Sequence, residues 1–199
     1  MSDATPTRSV VLEMKDERRA MHDGYVFLDE KCLLLAGEML RELGRYAALR
    51  LEFLAAQSAA FDALQRAVAR HGLHGLQVSP EAEFGAARLV RTPWTLMGVP
   101  LQSAALEREP VVAPAALDGS AALDACRRAF AALFAAAAPL AATTGNLERL
   151  AFEYRRSVRR ARALQDVLLP ELDSAVRDLE TRIEEAEQED AIWMGQARR

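Results

Sequence analysis

The stretch Leu147–Ala186, LERLAFEYRRSVRRARALQDVLLPELDSAVRDLETRIEEA, decides the fold. Apolar side chains return in it at steps of three and four: Leu147, Leu150, Tyr154, Val158, Ala161, Leu164, Leu168, Leu172, Val176, Leu179, Ile183 and Ala186. Such steps gather them on one stripe of an α-helix and leave the charges on the other faces. A stripe this long and narrow is a coiled-coil seam, and it has to be covered by a partner helix of comparable length. Pro170 lies inside it. Its missing N–H removes one helical hydrogen bond, so a bend without an end is expected there.

The partner is written in the first third of the chain. Met21, Tyr25, Leu28, Cys32, Leu35 and Met39 alternate by three and four, and a four-residue step to Leu43 shifts the seam. It is expected to continue through Tyr46, Leu49 or Arg50, Phe53, Phe61, Leu64 and Val68. Such a shift changes local winding without ending a helix. Pro6-Thr7 suits the start, and His71-Gly72 with His74-Gly75 suits the stop, because glycine accepts the left-handed backbone beyond a last turn. Between the arms, Leu76 to Gly119 holds Pro80, Pro93, Pro100, Pro110 and Pro114 and cannot be one helix. Arg88–Arg91 and Trp94–Val99 look extended, as in a small hairpin. The second arm is expected to start at Asp118 or Ser120, with an interruption or bend at Pro139 or within Thr143–Asn146.

Two seamed helices joined by one connector satisfy each other by folding back. The expected fold is therefore all-α: a long antiparallel two-helix coiled-coil hairpin with a small irregular or short β-hairpin head in mid-chain. The division is 6–75 for the first helix, 76–119 for the head, and 120–195 for the second helix, bent or interrupted near 139–146 and 170. A parallel dimer of such chains is the alternative that seams alone leave open.

Composition agrees. Of 199 residues 51% are hydrophobic but only 6% aromatic, with alanine carrying much of the apolar share. That favours helix over a large aromatic core. The net charge of −4 gives no global attraction to nucleic acid or anionic lipid. Cys32 and Cys126 have no metal or disulfide spacing and read as reduced thiols of a cytosolic protein. The charged N-terminus does not read as a signal peptide. Ala129–Leu147 has no charge and nearly the length of a membrane span. Its alanines, with Pro139, Thr143, Thr144, Gly145 and Asn146, suit a closely packed soluble helix better, so no direct membrane insertion is expected.

Three stretches resemble the D-subunit family of the V-type (vacuolar and archaeal-type) ATPases. Pro6-Thr7-Arg8-Ser9 leads into a charged helix, as in that family. Leu96-Met97-Gly98-Val99-Pro100 is similar to the methionine-glycine-valine motif of its head. Arg159-Arg160-Ala161-Arg162-Ala163-Leu164-Gln165-Asp166-Val167-Leu168-Leu169-Pro170-Glu171-Leu172 resembles its arginine-rich lead into an alanine-leucine and isoleucine-proline run. Arg162 departs from the family's usual asparagine, the first arm is less basic than is common, and Trp193-Met194-Gly195 replaces a lysine-rich ending. The resemblance implies a central-stalk rotor shaft coupling ATP hydrolysis or synthesis to ion transport. Its helices would enter a hexamer of A and B subunits. Its head would bind the F subunit and couple through a connecting subunit to the membrane ring. It also implies a cytoplasmic, membrane-peripheral location. A free-standing coiled-coil adaptor is the alternative.

On that resemblance Met97, Gly98 and Val99 are candidate head contacts, and Arg155, Arg156, Arg159, Arg160, Arg162 and Pro170 are candidate stator-facing or structural residues. The arginine cluster either faces acidic stator loops or pairs with acids such as Asp16 or Glu17 of the opposing arm. Glu180 and Glu184–Asp190 read as a solvated face. No catalytic, cofactor-binding or metal site is expected. The clustered glutamates have no water-poor pocket, and His22, His71 and His74 lack further ligands. No phosphate-binding or nucleophile motif occurs. The reading is of a non-catalytic part, with no cofactor.

Overall fold

A computed structural model describes residues 7–77, 87–108 and 120–197. In chain order they form helix α1 (Arg8–Gln77), strands β1 (Ala87–Leu96) and β2 (Val99–Arg108), helix α2 (Ala121–Ala163), a π-turn at Leu164–Leu168, and helix α3 (Leu169–Ala197). The all-helical reading with a small β-hairpin in the middle holds. The chain divides into two compact units. One joins the part of α1 up to Leu34 to the chain from Tyr154 onward; the other is Leu35–Glu153.

In the first unit the ion pairs fix the direction of pairing. Arg8 meets Glu187 at 2.6 Å and Lys15 meets Glu180 at 2.5 Å, so seven residues up α1 match seven residues down α3. Arg18 to Asp173 continues the series. The helices are thus antiparallel, with Val11 and Val176 buried between them. All these ion-pairing side chains are substantially exposed, so the pairs set register more than they add stability. Thr7 caps α1: its hydroxyl accepts the Val10 N–H, and its carbonyl takes the Val11 N–H. Pro6 lies outside the described residues.

In the second unit, contacts 29 residues apart on α1 again run backwards along α2: Glu42 meets Asn146, and His71 meets Ser120. Leu35 and Leu150 are wholly buried. Farther along, Ala63, Ala67 and Cys126 form a small core with Leu64, Leu76, Ala129 and Phe130 packed on it. Ser120 caps α2 through its hydroxyl to the Leu123 N–H and its carbonyl to the Asp124 N–H. The other expected cap, Asp118, lies outside the described residues, as do Pro80, Pro110 and Pro114.

Several expectations for the seam are corrected. There is no shift to Leu43, which is 53% exposed; the seam position is Glu42, at 1%. The three-four count therefore runs unshifted through Leu35, Met39, Glu42, Tyr46, Leu49 and Phe53, then on to Ala56, Ala60, Ala63 and Ala67. Phe61 is on the outside, while Leu64 and Val68 flank the buried alanines. Apolar bulk points to Leu43 and Phe61 for the seam, whereas the packed surface selects alanine, which lets backbones approach. At Gly72 the regular helix does break, as the glycine there leads one to expect. That residue takes φ 69, ψ 169, a break that glycine tolerates, and helical structure resumes as far as Gln77.

Of the interruption or bend expected near 139–146, the interruption is absent: α2 is continuous through Pro139 and 143–146. Thr144 returns its hydroxyl to the Leu140 carbonyl, a bond made within the helix. The irregularity comes later, where Leu169 N–H reaches Leu164 O in a five-residue turn. Pro170 explains it. In a regular helix its ring would press on the carbonyl four residues back, and a widened turn removes that clash. One extra residue also moves the seam. Ser157, Ala161 and Leu164 lead to Leu169, Leu172, Val176, Leu179 and Ile183, while Leu168 is exposed. Ala186, expected on the seam, is exposed as well.

Candidate functional site

The head hairpin is the most defined candidate. β1 and β2 pair antiparallel from Ala87↔Arg108 to Leu96↔Val99, leaving Met97-Gly98 as a two-residue turn. Their φ values, 47 and 82, are both positive. That is the type I′ geometry matching the right-handed twist of a hairpin. Gly98 is suited to it, whereas Met97 pays for a left-handed backbone. Replacing Gly98 with alanine is expected to lower stability by about 1 kcal/mol, and Met97→Asn to raise it by roughly 0.5 kcal/mol. Denaturant midpoints measure both. Val99 and Leu101, which follow the turn on β2, are buried.

Asn146, one of the residues that look like helix breakers in the sequence, holds the hairpin. Its Oδ1 accepts the Gln102 backbone N–H at 2.9 Å, and its Nδ2 donates to the Gln102 carbonyl at 2.8 Å. The side-chain amide thus substitutes for a neighbouring strand at the free edge of β2. Pro93 stands opposite Gln102 in the ladder. At that pair the backbone groups point away from the partner strand, so proline's missing N–H costs no ladder bond. Asn146 Nδ2 also donates to Glu42 Oε2 at 3.2 Å, and Oδ1 accepts from Arg149 Nη2 at 2.8 Å. Arg45 Nη1 meets Glu42 Oε1 at 2.7 Å.

This network accounts for a glutamate on a seam: its carboxylate has both a cationic and an amide partner. Among the described residues, Arg149 Nε is the one buried side-chain nitrogen or oxygen without a hydrogen-bond partner. Arg149 lines a cleft of ≈ 380 Å³ with Gly98, Val99, Pro100, Glu148, Phe152 and Glu153. Of the head residues singled out from sequence, Gly98 and Val99 therefore border an open, largely apolar depression beside α2, and Met97 is not in its lining. The signal that points to Asn146 is an amide at a seam position, but only the folded partner reveals its role.

The arginine group lies in the other unit. Arg155, Arg156, Arg159, Arg160 and Arg162 are all exposed, while Ser157 and Ala161 between them are buried. Arg155 and Arg156 each have an interaction partner. Among the described residues, Arg159, Arg160 and Arg162 make no ion pair with Asp16 or Glu17, which are themselves exposed. The ion pairs between helices use Glu180 and Glu187 instead, so part of the acidic tract faces the opposite helix. Arg162 and Pro170 flank the π-turn, and Pro170 is exposed.

The thiols add nothing reactive. Burial pushes the Cys126 thiol up, and Cys32 is raised by burial and then by Asp29. A raised value means less thiolate near neutrality. Both are therefore expected to react more slowly with iodoacetamide at pH 8 than a free cysteine, with rates rising with pH; timed alkylation and mass spectrometry test this.

Comparison with known proteins supplies the context. The family model described as the ATP synthase D subunit matches residues 10–198. The V-type ATP synthase D subunit of Thermotoga neapolitana is 26% identical over 188 residues, covering 93% of this chain and 92% of the relative. The A-type ATP synthase D subunit of Methanopyrus kandleri is 25% identical over 195 residues, covering 96% and 84%. The V-type ATP synthase D subunit numbered 2 in Treponema pallidum is 25% identical over 185 residues, covering 92% and 88%.

Proposed function

Because the chain belongs to the ATP synthase D-subunit family, as a central-stalk subunit of a V/A-type ATPase, we propose that it is the shaft through which ATP hydrolysis or synthesis is coupled to ion movement. The observation that carries this is the extent of the match, which takes in both helical arms and the hairpin between them. A free-standing adaptor has no reason to keep that whole pattern and is not favoured.

The finer reading follows the resemblance. The chain divides into a first helix at 6–75, a head at 76–119 and a second helix at 120–195. The paired helices enter a hexamer of A and B subunits. The head region with Met97, Gly98 and Val99 meets the F subunit or the connecting subunit to the membrane ring. Arg155, Arg156, Arg159, Arg160 and Arg162 face the stator. Exposure of Arg159, Arg160 and Arg162 supports that role, since an acidic surface opposite could reach them. Pro170 gives the shaft its local irregularity, and catalysis resides on other subunits. The chain works on the cytoplasmic face without entering the bilayer. The span Ala121–Gln196 does hold an eighteen-residue window of mean hydropathy 1.4. That value rests on alanine, which packs against protein as readily as against lipid.

The test is purification of a tagged chain from membranes of its own host. The A and B ATPase subunits should accompany it with ATP-hydrolysing activity. A tagged chain that replaces the native one, supports growth and never brings those subunits would refute the shaft reading.

A further inference from the structure

Both helices of the first unit are weakest at one level. On one side is the π-turn at Leu164–Leu168. Leu169 N–H is turned to the Leu164 carbonyl and Pro170 has no N–H, so the Gln165 carbonyl loses both donors that a helix could offer it. On the other side is Gly24, in the interior of α1. Glycine there is among the poorest helix formers, because its backbone has the most freedom to lose. The two face each other: a Cβ built on Gly24 would lie 3.9 Å from Leu164 Cδ1. That is an ordinary contact distance, so alanine would fit and lack of space does not require glycine.

Packing is thin at the same level. No residue of α1 from 12 to 34 is buried, and none from 162 to 175 on the facing chain. Ser157 and Ala161 are buried on one side of this stretch, Val11 and Val176 on the other. Gln165, Asp166, Val167, Leu168 and Pro170 are all exposed. Gly37 and Gly44 also lie within α1, but buried Leu35, Glu38 and Glu42 stand near them and α2 is regular.

Within the central-stalk reading, on which the inference rests, we propose that the level of Gly24 and the π-turn is a torsional joint. Under load the helix pair twists there first, and the lengths on either side turn as stiffer pieces. Backbone hydrogen bonds resist distortion of each helix, and interlocked side chains resist movement of one helix over the other. Both kinds of restraint are fewest at this level, so local opening is easiest there.

Two measurements test the joint. In the isolated chain, amides 165–168 and 22–26 should exchange hydrogen about tenfold faster than those of 157–161 and 176–180. Gly24→Ala should slow exchange at 22–26 about fivefold. The second measurement takes the complex with the A and B subunits fixed to a surface and a bead on the head of this chain. The angle of the bead is followed with ATP absent. If the joint holds half of the compliance, Gly24→Ala combined with deletion of Val167 and Pro170→Ala should cut the angular variance to about half. Gly24→Ala alone should give a smaller fall in the same direction. Gly44→Ala, the same change made in the other unit, should leave the variance where it was. Uniform exchange along the first unit would overturn the proposal. So would a variance that the joint variants leave unchanged, or one that Gly44→Ala lowers as far. A complex that assembles and turns around a uniformly exchanging chain keeps the shaft reading and loses the joint. Fast exchange at this level in a chain that never joins A and B subunits removes the shaft reading, and with it the load the joint would carry.

Discussion

Replacing Asn146 with leucine is expected to lower stability by roughly 3–5 kcal/mol, far more than an ordinary polar-to-apolar change in a helix. Leucine fills the space, so no cavity is made. What it removes is the partner of four groups at once: the Gln102 N–H and carbonyl, the Glu42 carboxylate and the Arg149 guanidinium. The Glu42 carboxylate is buried and, among the described residues, is left with Arg45. A buried carboxylate missing one of its partners is costly, and unsatisfied backbone groups add to the loss. For a chain of this length the change corresponds to a drop in melting temperature of about 10 °C. Asn146→Asp separates the contributions. It keeps an acceptor for the Gln102 N–H and Arg149, loses both donors, and sets a second carboxylate against Glu42. About half the loss of the leucine variant is expected, measured by denaturant titration. A leucine variant as stable as the parent would mean that burial of Val99 and Leu101 alone secures the hairpin.

Inserting one alanine after Val167 is expected to unpair the first unit, at a cost of roughly 4–6 kcal/mol. The π-turn already contains one residue more than a regular turn, and the seam beyond it is set accordingly. A further residue rotates Leu172, Val176, Leu179 and Ile183 by about 100°. Deletion should do the opposite of damage. With Val167 removed and Pro170 changed to alanine, a regular α-helix carries Ser157, Ala161 and Leu164 into Leu172 and Val176 without a shift. Hydrogen exchange over residues 169–183 distinguishes the two variants. The insertion should lose protection there, and the deletion should keep it. Equal loss in both would show that the widened turn itself, rather than the count of residues, is what the pairing needs.

The paired helices and the hairpin can be read in the chain because they rest on periodicity and on glycine, signals that local sequence carries. The details that escape such a reading share a physical cause. Sequence ranks positions by how much apolar area a side chain offers, so Phe61 and Leu43 outrank Ala60, Ala63 and Glu42. Packing ranks them by what fits between two backbones, and the facing helix decides that. Asn146 is visible in the chain only as a poor helix former; its partners are on β2 and α1, 44 and 104 residues away. Pro170 is plain in the sequence, but its effect falls upstream, where the carbonyl it would strike lies. The four-residue steps from Leu164 through Leu168 and Leu172 to Val176 are the trace of that extra residue. The arginine group is exposed, and what an exposed charge meets is written in another chain.

The run Ala56, Ala60, Ala63 and Ala67 limits how this part of the molecule can drift over generations. Where leucine meets leucine, one position can shrink while its neighbour grows, and many pairs of residues serve equally well. Alanine leaves nothing to trade: only glycine is smaller, and any larger side chain wedges the two backbones apart. Variation there should be met by rejection, while the leucine-lined length nearby wanders freely among substitutes of similar bulk.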